Sequence, residues 1–356
     1  DQEAGELTLH NYLDFTDLGD KVSLSWEVSC DGAVTAMGRI PEEELGPVPP
    51  QGEGTISLPV PVPDRGKCFL KLYYHQKAPS ELAPEGCLLG FDELSLDNAD
   101  GQNQYAAALL ARPAGAGQVL EAAEGEDFLT LWNERISYVY SKRTGLFTRM
   151  DCGGRRFLTR PMEVNVWRAP TDNDRKRKLA WMDAHYDRSV TRAYQTQWHA
   201  EDGAVKISST LSVSAVSVQR FLDLRAEWTV FPDGTVDLSL KAVRNMEFPE
   251  LPRLGLRLFL PGELDQARYC GYGPYESYPD KRRASSYGIY AAPVSQLHED
   301  YIRPQENGSH FGCDYVEVTG AEAGLTAVSA APFSFNASPY TQEELAAKAH
   351  NYELTP

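Results

Sequence analysis

In KVSLSWEVS, Val22, Leu24, Trp26 and Val28 fall on one side of a period-two alternation with polar residues between them, the pattern of a half-buried strand. Asp31-Gly32 follows at once and predicts a tight hairpin turn. AVTAMGRI, TISLPVPV, KCFLKLYYHQ and GFDELSLDN continue the series, separated by Pro/Gly-rich punctuation such as LGPVPPQGEG. Short strands at this spacing predict an immunoglobulin-like or fibronectin-like β-sandwich over residues 1–100. Trp26 reads as a core anchor of that sandwich.

From about Leu96 to Gly125 the alternation fades and Ala, Gly and Gln take over, so a linker is expected over residues 101–125. A second, larger unit over residues 126–356 resumes with FLTLWN, ISYVYSK and GLFTRMDCGG. It continues through a long period-two series that turns at Pro232-Asp233-Gly234. So much strand with so little helix predicts an all-β fold, here a large antiparallel double-sheet sandwich. One helix stands out, near the end, where Thr341 and Glu344 form a capping-box pattern before QEELAAKAH. The chain stops at NYELTP soon after, and the reading expects the last sheet to be short of its closing strands.

At 356 residues two domains are the natural expectation. No apolar run reaches the length of a membrane span, and DQEAGELTLH has neither the basic nor the apolar region of an export signal. The net charge of -17 repels phosphate backbones, so nucleic acid is an unfavourable partner, and the basic run Arg175 to Lys178 reads as a solvated or ion-paired loop. Six cysteines are scattered without a CxxC or CxH pairing that suits zinc, so they read as reduced thiols and no metal site is expected. A cytoplasmic location is the expectation from these features together.

Three segments of the second unit concentrate polar and aromatic residues with Pro and Gly: NVWRAPTDND, GYGPYESYPDKRRAS and YIRPQENGSHFG. Loops at one end of a rigid sandwich are where binding surfaces are built. Their Asp, Asn, Glu and Arg can exchange hydrogen bonds with vicinal hydroxyls, while Trp and Tyr faces suit sugar C–H groups, so carbohydrate is the ligand class they fit. The competing reading has Asp172, Asn173 and Asp174 capping turns, with Arg168 pairing to a carboxylate to stitch loops together. No carboxylate pair for glycoside cleavage can be assigned among Asp172, Asp174, Glu276, Asp280 and Glu306. No serine sits in a GxSxG elbow, and the DND run lacks the spacing of a calcium loop.

Taken in order, NVWRAPTDND, GYGPYESYPDKRRAS, YIRPQENGSHFG and FSFNASPYTQEELAAKAH closely resemble the C-terminal part of the bacterial β-galactosidases of glycoside hydrolase family 2. NYLDFTDLGDKVSLSWEVSCDGAVTAMGRI resembles the sandwich that precedes it. The resemblance implies a second immunoglobulin-like sandwich followed by a galactose-mutarotase-like β-supersandwich, the small-chain domain. It implies a catalytic TIM barrel, with both glutamates, in the same enzyme but outside this sequence. Any Mg or Na would lie on those other domains, and the whole enzyme would be a homo-oligomer. In this reading the present chain hydrolyses nothing alone and carries no catalytic residue. Arg168, Ala169, Pro170, Asp172, Asn173 and Asp174 match the family motif, and residues 175–183 correspond to a mobile loop at the active-site mouth. Trp167, Arg168, Asp172, Asn173, Asp174 and Lys176 are then rim or loop-shaping residues, and Tyr275, Glu276, Glu306 and Asn307 are candidates for sugar or domain contact. Arg175 and Lys176 stand where some relatives carry a hinge glycine. A late substrate-stacking tryptophan of some relatives has no counterpart before the sequence ends. Two other readings remain: a self-contained epimerase with Glu306 as base and His310 as acid, and a carbohydrate-binding module.

Overall fold

The computed structural model describes residues 1–111 and 119–355, and its strand-to-strand pairings are antiparallel. In the first unit the strands Ala33–Arg39, Val22–Cys30, Cys68–Gln76 and Leu88–Leu96 lie side by side in that order. A ribbon of Glu6–His10 paired with Glu53–Ser57 supplies Leu9 and Ile56 to the core formed with Val22, Leu24 and Leu72 of the larger sheet. The alternation in KVSLSWEVS is therefore the inside and outside of a sandwich. Its hairpin turns at Asp31-Gly32 with φ values of 52° and 83°, the left-handed pair such a two-residue turn requires.

In the second unit the sheet running from Glu121–Glu124 through Phe128–Trp132, Ile136–Ser141 and Leu146–Cys152 to Arg155–Arg156 shares a core with the four-stranded sheet Val190–Glu201, Ala204–Ser214, Leu222–Val230, Val236–Arg244. Leu129, Leu131, Tyr140 and Phe147 from one meet Ile207, Leu211, Leu224 and Trp228 from the other. The buried Tyr140 hydroxyl is satisfied by Ser209 Oγ at 2.8 Å across the layer. A further four-stranded sheet, ordered Ser286–Pro293, Gln266–Gly273, Ser309–Thr319, Gly324–Asn336, carries the loops of interest at one end. Arg160–Asn165 pairs with Gly255–Phe259 and leads into NVWRAPTDND. The turn at Pro232-Asp233-Gly234 forms as expected, with Gly234 at φ 96°.

Helix is present beyond the C-terminal Gln342–Ala347. Gln104–Leu110 is helical, capped by Asn103, whose side chain accepts from Ala106 N at 3.0 Å. The alanines that read as linker composition are also strong helix formers, and Ala106 is buried in a cluster with Phe69, Cys270, Tyr287 and Tyr315. The middle of the expected linker, 112–118, lies outside the described residues. Arg177–Asp183, expected as a loop, is a helix pinned by one apolar side chain, Trp181, which is 3% exposed.

The two units share an interface. Phe69 of the first packs against Tyr287 of the second with ring centroids 4.7 Å apart and the rings tilted by 32°, and Lys67 Nζ pairs with Asp314 Oδ2 at 3.0 Å. Lys71 donates to Ser286 Oγ at 2.9 Å, and the Glu93 carboxylate accepts the Tyr287 N–H at 2.9 Å. Burial pushes the Glu93 carboxyl above the usual range, and Lys71 beside it pulls the other way.

Candidate functional site

The four motifs that stand far apart in the sequence meet in one place. As the strand Arg160–Asn165 ends, Val166 and Trp167 turn into the main core, and the backbone beyond them is held by side chains from two other segments. Ala169 N donates to Gln342 Oε1 at 2.7 Å, Asp172 N donates to Gln305 Oε1 at 3.1 Å, and Glu306 N donates to Ala169 O at 3.0 Å. Gln342 opens the C-terminal helix, whose Thr341 hydroxyl accepts from Glu344 N at 3.2 Å, the cap that the sequence announces.

Asp172–Asp174 is a single 3-10 turn. Asp174 is its keystone: Oδ1 accepts from Arg168 Nη2 at 2.6 Å, while Oδ2 accepts from Arg168 Nε at 3.1 Å, Thr171 N at 3.0 Å and Thr171 Oγ1 at 3.1 Å. Four donors occupy one buried carboxylate, so Asp174 caps its own turn and Arg168 pairs with it inside the same segment. The Arg168 guanidinium also lies over the Trp181 ring, 5.5 Å from its centroid, and ties the turn to the helix that follows. Asp172, Asn173 and Lys176 are exposed on the outer edge of this frame. The basic run is partly spent as well, since Arg177 pairs with Glu250.

GYGPYESYPDKRRAS packs beside YIRPQENGSHFG. Glu276 Oε2 accepts from Gly308 N at 2.9 Å, and its Oε1 takes Lys281 Nζ at 2.5 Å and the Tyr301 hydroxyl. Burial pushes the Glu276 carboxyl up, yet these donors together outweigh it and hold it below the usual carboxylate value. Beside it opens a groove of about 690 Å³ whose walls include Tyr275, Asp280, Arg282, Glu299 and Tyr301. Tyr275 is 61% exposed there.

Glu306 and Asn307 lie under the surface. Asn307 Oδ1 accepts from Glu299 N at 3.1 Å and its Nδ2 donates to Gln305 O at 2.9 Å, which shapes the loop from within. Glu306 is 3% exposed and pairs through Oε1 with Arg253 Nη2 at 2.9 Å. Burial raises its carboxyl, opposed by Arg253 and Arg168. His310 is packed between Tyr269 and Phe335, and burial brings its imidazole down to about 4. Glu306 is paired with Arg253 and His310 is enclosed by the Tyr269 and Phe335 rings, so both groups named by the epimerase reading are buried.

Sequence reasoning missed the residues that brace the site from behind: Gln305, Gln342, Arg253 and Trp181. The two glutamines had a faint signal, each standing directly before a motif glutamate, whereas Arg253 had none. Among the described residues no three His, Cys, Asp or Glu side chains are gathered to hold a metal ion, and no helix is long and apolar enough to cross a membrane. The exposed groups are the Asp172 carboxylate, the Asn173 carboxamide and the Lys176 ammonium on the RAPTDND segment, and the Tyr275 phenol on the groove beside Glu276.

Comparison with known proteins agrees with the motifs. The family model described as "Beta galactosidase small chain" matches residues 133–356, and "Beta-galactosidase, domain 4" matches residues 7–97. A β-galactosidase of Actinobacillus pleuropneumoniae is 37% identical over 351 residues, covering 98% of this chain and 33% of that protein. One from Lactobacillus delbrueckii subsp. bulgaricus is 29% identical over 99% of this chain and 33% of its own length. One from Staphylococcus xylosus is 34% identical over 62% of this chain and 22% of its own length. The chain thus spans about a third of the first of these relatives. With two family models matching in succession and four motifs converging in the fold, the chain belongs to the β-galactosidase small-chain family, preceded by a β-galactosidase domain 4.

Proposed function

We propose that these residues form the non-catalytic C-terminal portion of a β-galactosidase that hydrolyses terminal β-D-galactosides with retention. The catalytic glutamates would sit on a TIM barrel elsewhere in the same enzyme, together with any Mg or Na it uses. Carbohydrate metabolism in the cytoplasm by a homo-oligomer is the setting this reading assigns. The larger unit would be the galactose-mutarotase-like supersandwich, and its exposed side chains Asp172, Asn173, Lys176 and Tyr275 would close the rim of the sugar pocket.

One observation carries this reading: the RAPTDND turn is braced by Gln305, Gln342 and Trp181, while the outer side chains Asp172, Asn173 and Lys176 are exposed and, among the described residues, make no side-chain hydrogen bond or ion pair. A rim built this way excludes water and positions substrate at little cost in ordering when substrate binds. It supports chemistry performed elsewhere.

The test is hydrolysis of a chromogenic β-galactoside by this chain alone and by the same chain joined to a barrel-containing partner segment. The expected outcome is no rate above buffer alone and turnover in the joined enzyme, where Asp172→Ala and Lys176→Ala together raise KM about tenfold. Turnover by the chain alone would place the reacting groups within these residues and sink the proposal.

A further inference from the structure

We propose that Cys30 and Cys68 form a disulfide under oxidising conditions, a covalent staple between two strands of the first sandwich, beside its seam with the second. The two residues stand directly opposite each other on the antiparallel strands Val22–Cys30 and Cys68–Gln76. Asp31 N donates to Lys67 O at 3.0 Å, a bond from the residue after Cys30 to the residue before Cys68. That bond identifies Cys30 and Cys68 as a non-hydrogen-bonded pair of the ladder, the kind in which Cα atoms stand about 4.5 Å apart and side chains come closest. Disulfides bridge Cα separations of about 4.4–6.8 Å, so the backbone need not move far. The sulfurs are already 3.0 Å apart, and a further approach of about 1 Å completes the bond.

The surroundings make room for that pair. A Cβ at Gly66 would fall 2.3 Å from Cys30 Sγ, and Gly66 has φ +99°, so only glycine fits the space the thiols occupy. Cys30 is partly exposed and can meet a small disulfide, while Cys68, 1% exposed, stands behind it as the resolving thiol. Closure proceeds by exchange. The Cys30 thiolate attacks a low-molecular-weight disulfide and expels one small thiol, and the Cys68 thiolate then attacks Cys30 Sγ and expels the second. The protein loses two protons and two electrons, and the small disulfide is reduced to two thiols. Burial, with the neighbouring Cys68 and Asp31, pushes the Cys30 thiol up to about 12, so the reaction is slow at neutral pH and quickens in alkali.

The staple would flank the residues that hold the seam. The Asp31 carboxylate accepts from Lys67 N at 2.8 Å and from Gln104 N at 3.1 Å, and Lys67 Nζ reaches Asp314 on the second sandwich at 3.0 Å. Joining Cys30 to Cys68 fixes the edge from which both contacts arise.

The experiment incubates the intact polypeptide with oxidised glutathione at mildly alkaline pH, then counts free thiols after denaturation and maps peptides without reduction. The expected result is that the six thiols fall to four, with one linked peptide joining Cys30 to Cys68 and no retained glutathione. The thermal midpoint should rise by about 5 °C and return on reduction. Cys30→Ser should abolish both the linkage and the shift, and Cys68→Ser should trap glutathione on Cys30 as a stable mixed disulfide. Cys87→Ser should leave the linkage intact. Six thiols persisting in the parent chain, or a linked peptide joining other cysteines, overturns the proposal.

Discussion

Asp172 and Asp174 are two residues apart and identical in chemistry, yet the fold gives them opposite tasks. Asp174 accepts four hydrogen bonds, two of them from Arg168, whereas Asp172 is exposed and is held through its backbone N–H. Asp174→Asn replaces an acceptor-only carboxylate with an amide whose NH₂ must face a donor, and leaves the partly buried Arg168 without its counter-charge. The expected loss is about 2–3 kcal/mol, below the cost of breaking a fully buried pair because water can still reach Arg168. Asp172→Asn should stay within about 0.5 kcal/mol of the parent. Urea denaturation of the two variants at equal slope measures both, and equal destabilisation would show that Asp174 is not the keystone of the turn.

The helix Arg177–Asp183 has seven residues, too few to persist by propensity alone, so its existence rests on Trp181 and the Arg168 guanidinium above that ring. Trp181→Ala should melt the segment while the sheets stay folded, and the basic run 175–178 then becomes a trypsin target. Cleavage there should quicken at least tenfold, and an unchanged rate would show that the helix is held by something else. This element also shows what a sequence can and cannot disclose. Val22 to Val28, Asp31-Gly32 and the Thr341 cap were legible because each is a local pattern whose period or turn chemistry allows one main solution. Trp181 was not, because a single anchor in a charged run has no period, and its partner Arg168 is reached only through the 3-10 turn. The helix at Gln104–Leu110 was hidden for a related reason: alanine suits both a linker and a helix, and the contact that decides between them, Ala106 against Phe69 and Tyr315, is tertiary. In the site, RAPTDND was visible as chemistry. The division of labour between Asp172 and Asp174, and the enclosure of Glu306, depend on side chains brought from far along the chain.

At the scale of the whole molecule, the seam decides whether two sandwiches behave as one body. Its polar contacts are Lys67 with Asp314, Lys71 with Ser286 and the Tyr287 N–H with Glu93; they are largely desolvated, and such contacts fix register more than they add net stability. Cohesion comes instead from Phe69, which inserts from the first unit into the cluster of Tyr287, Tyr315, Cys270 and Ala106. A core shared in this way makes exposure of either unit costly to the other, so the parent chain should unfold in one calorimetric transition with van't Hoff and calorimetric enthalpies in agreement. Phe69→Ala removes the shared ring at a cost of about 3–5 kcal/mol. Part of that loss falls on the coupling itself, so the single transition should split, the smaller sandwich melting first. Two transitions in the parent would mean that the seam only orients the units. A Phe69→Ala variant that melts earlier but still in one step would move the coupling from Phe69 to the polar pairs, and Lys67→Met would then be the substitution that separates the two sandwiches.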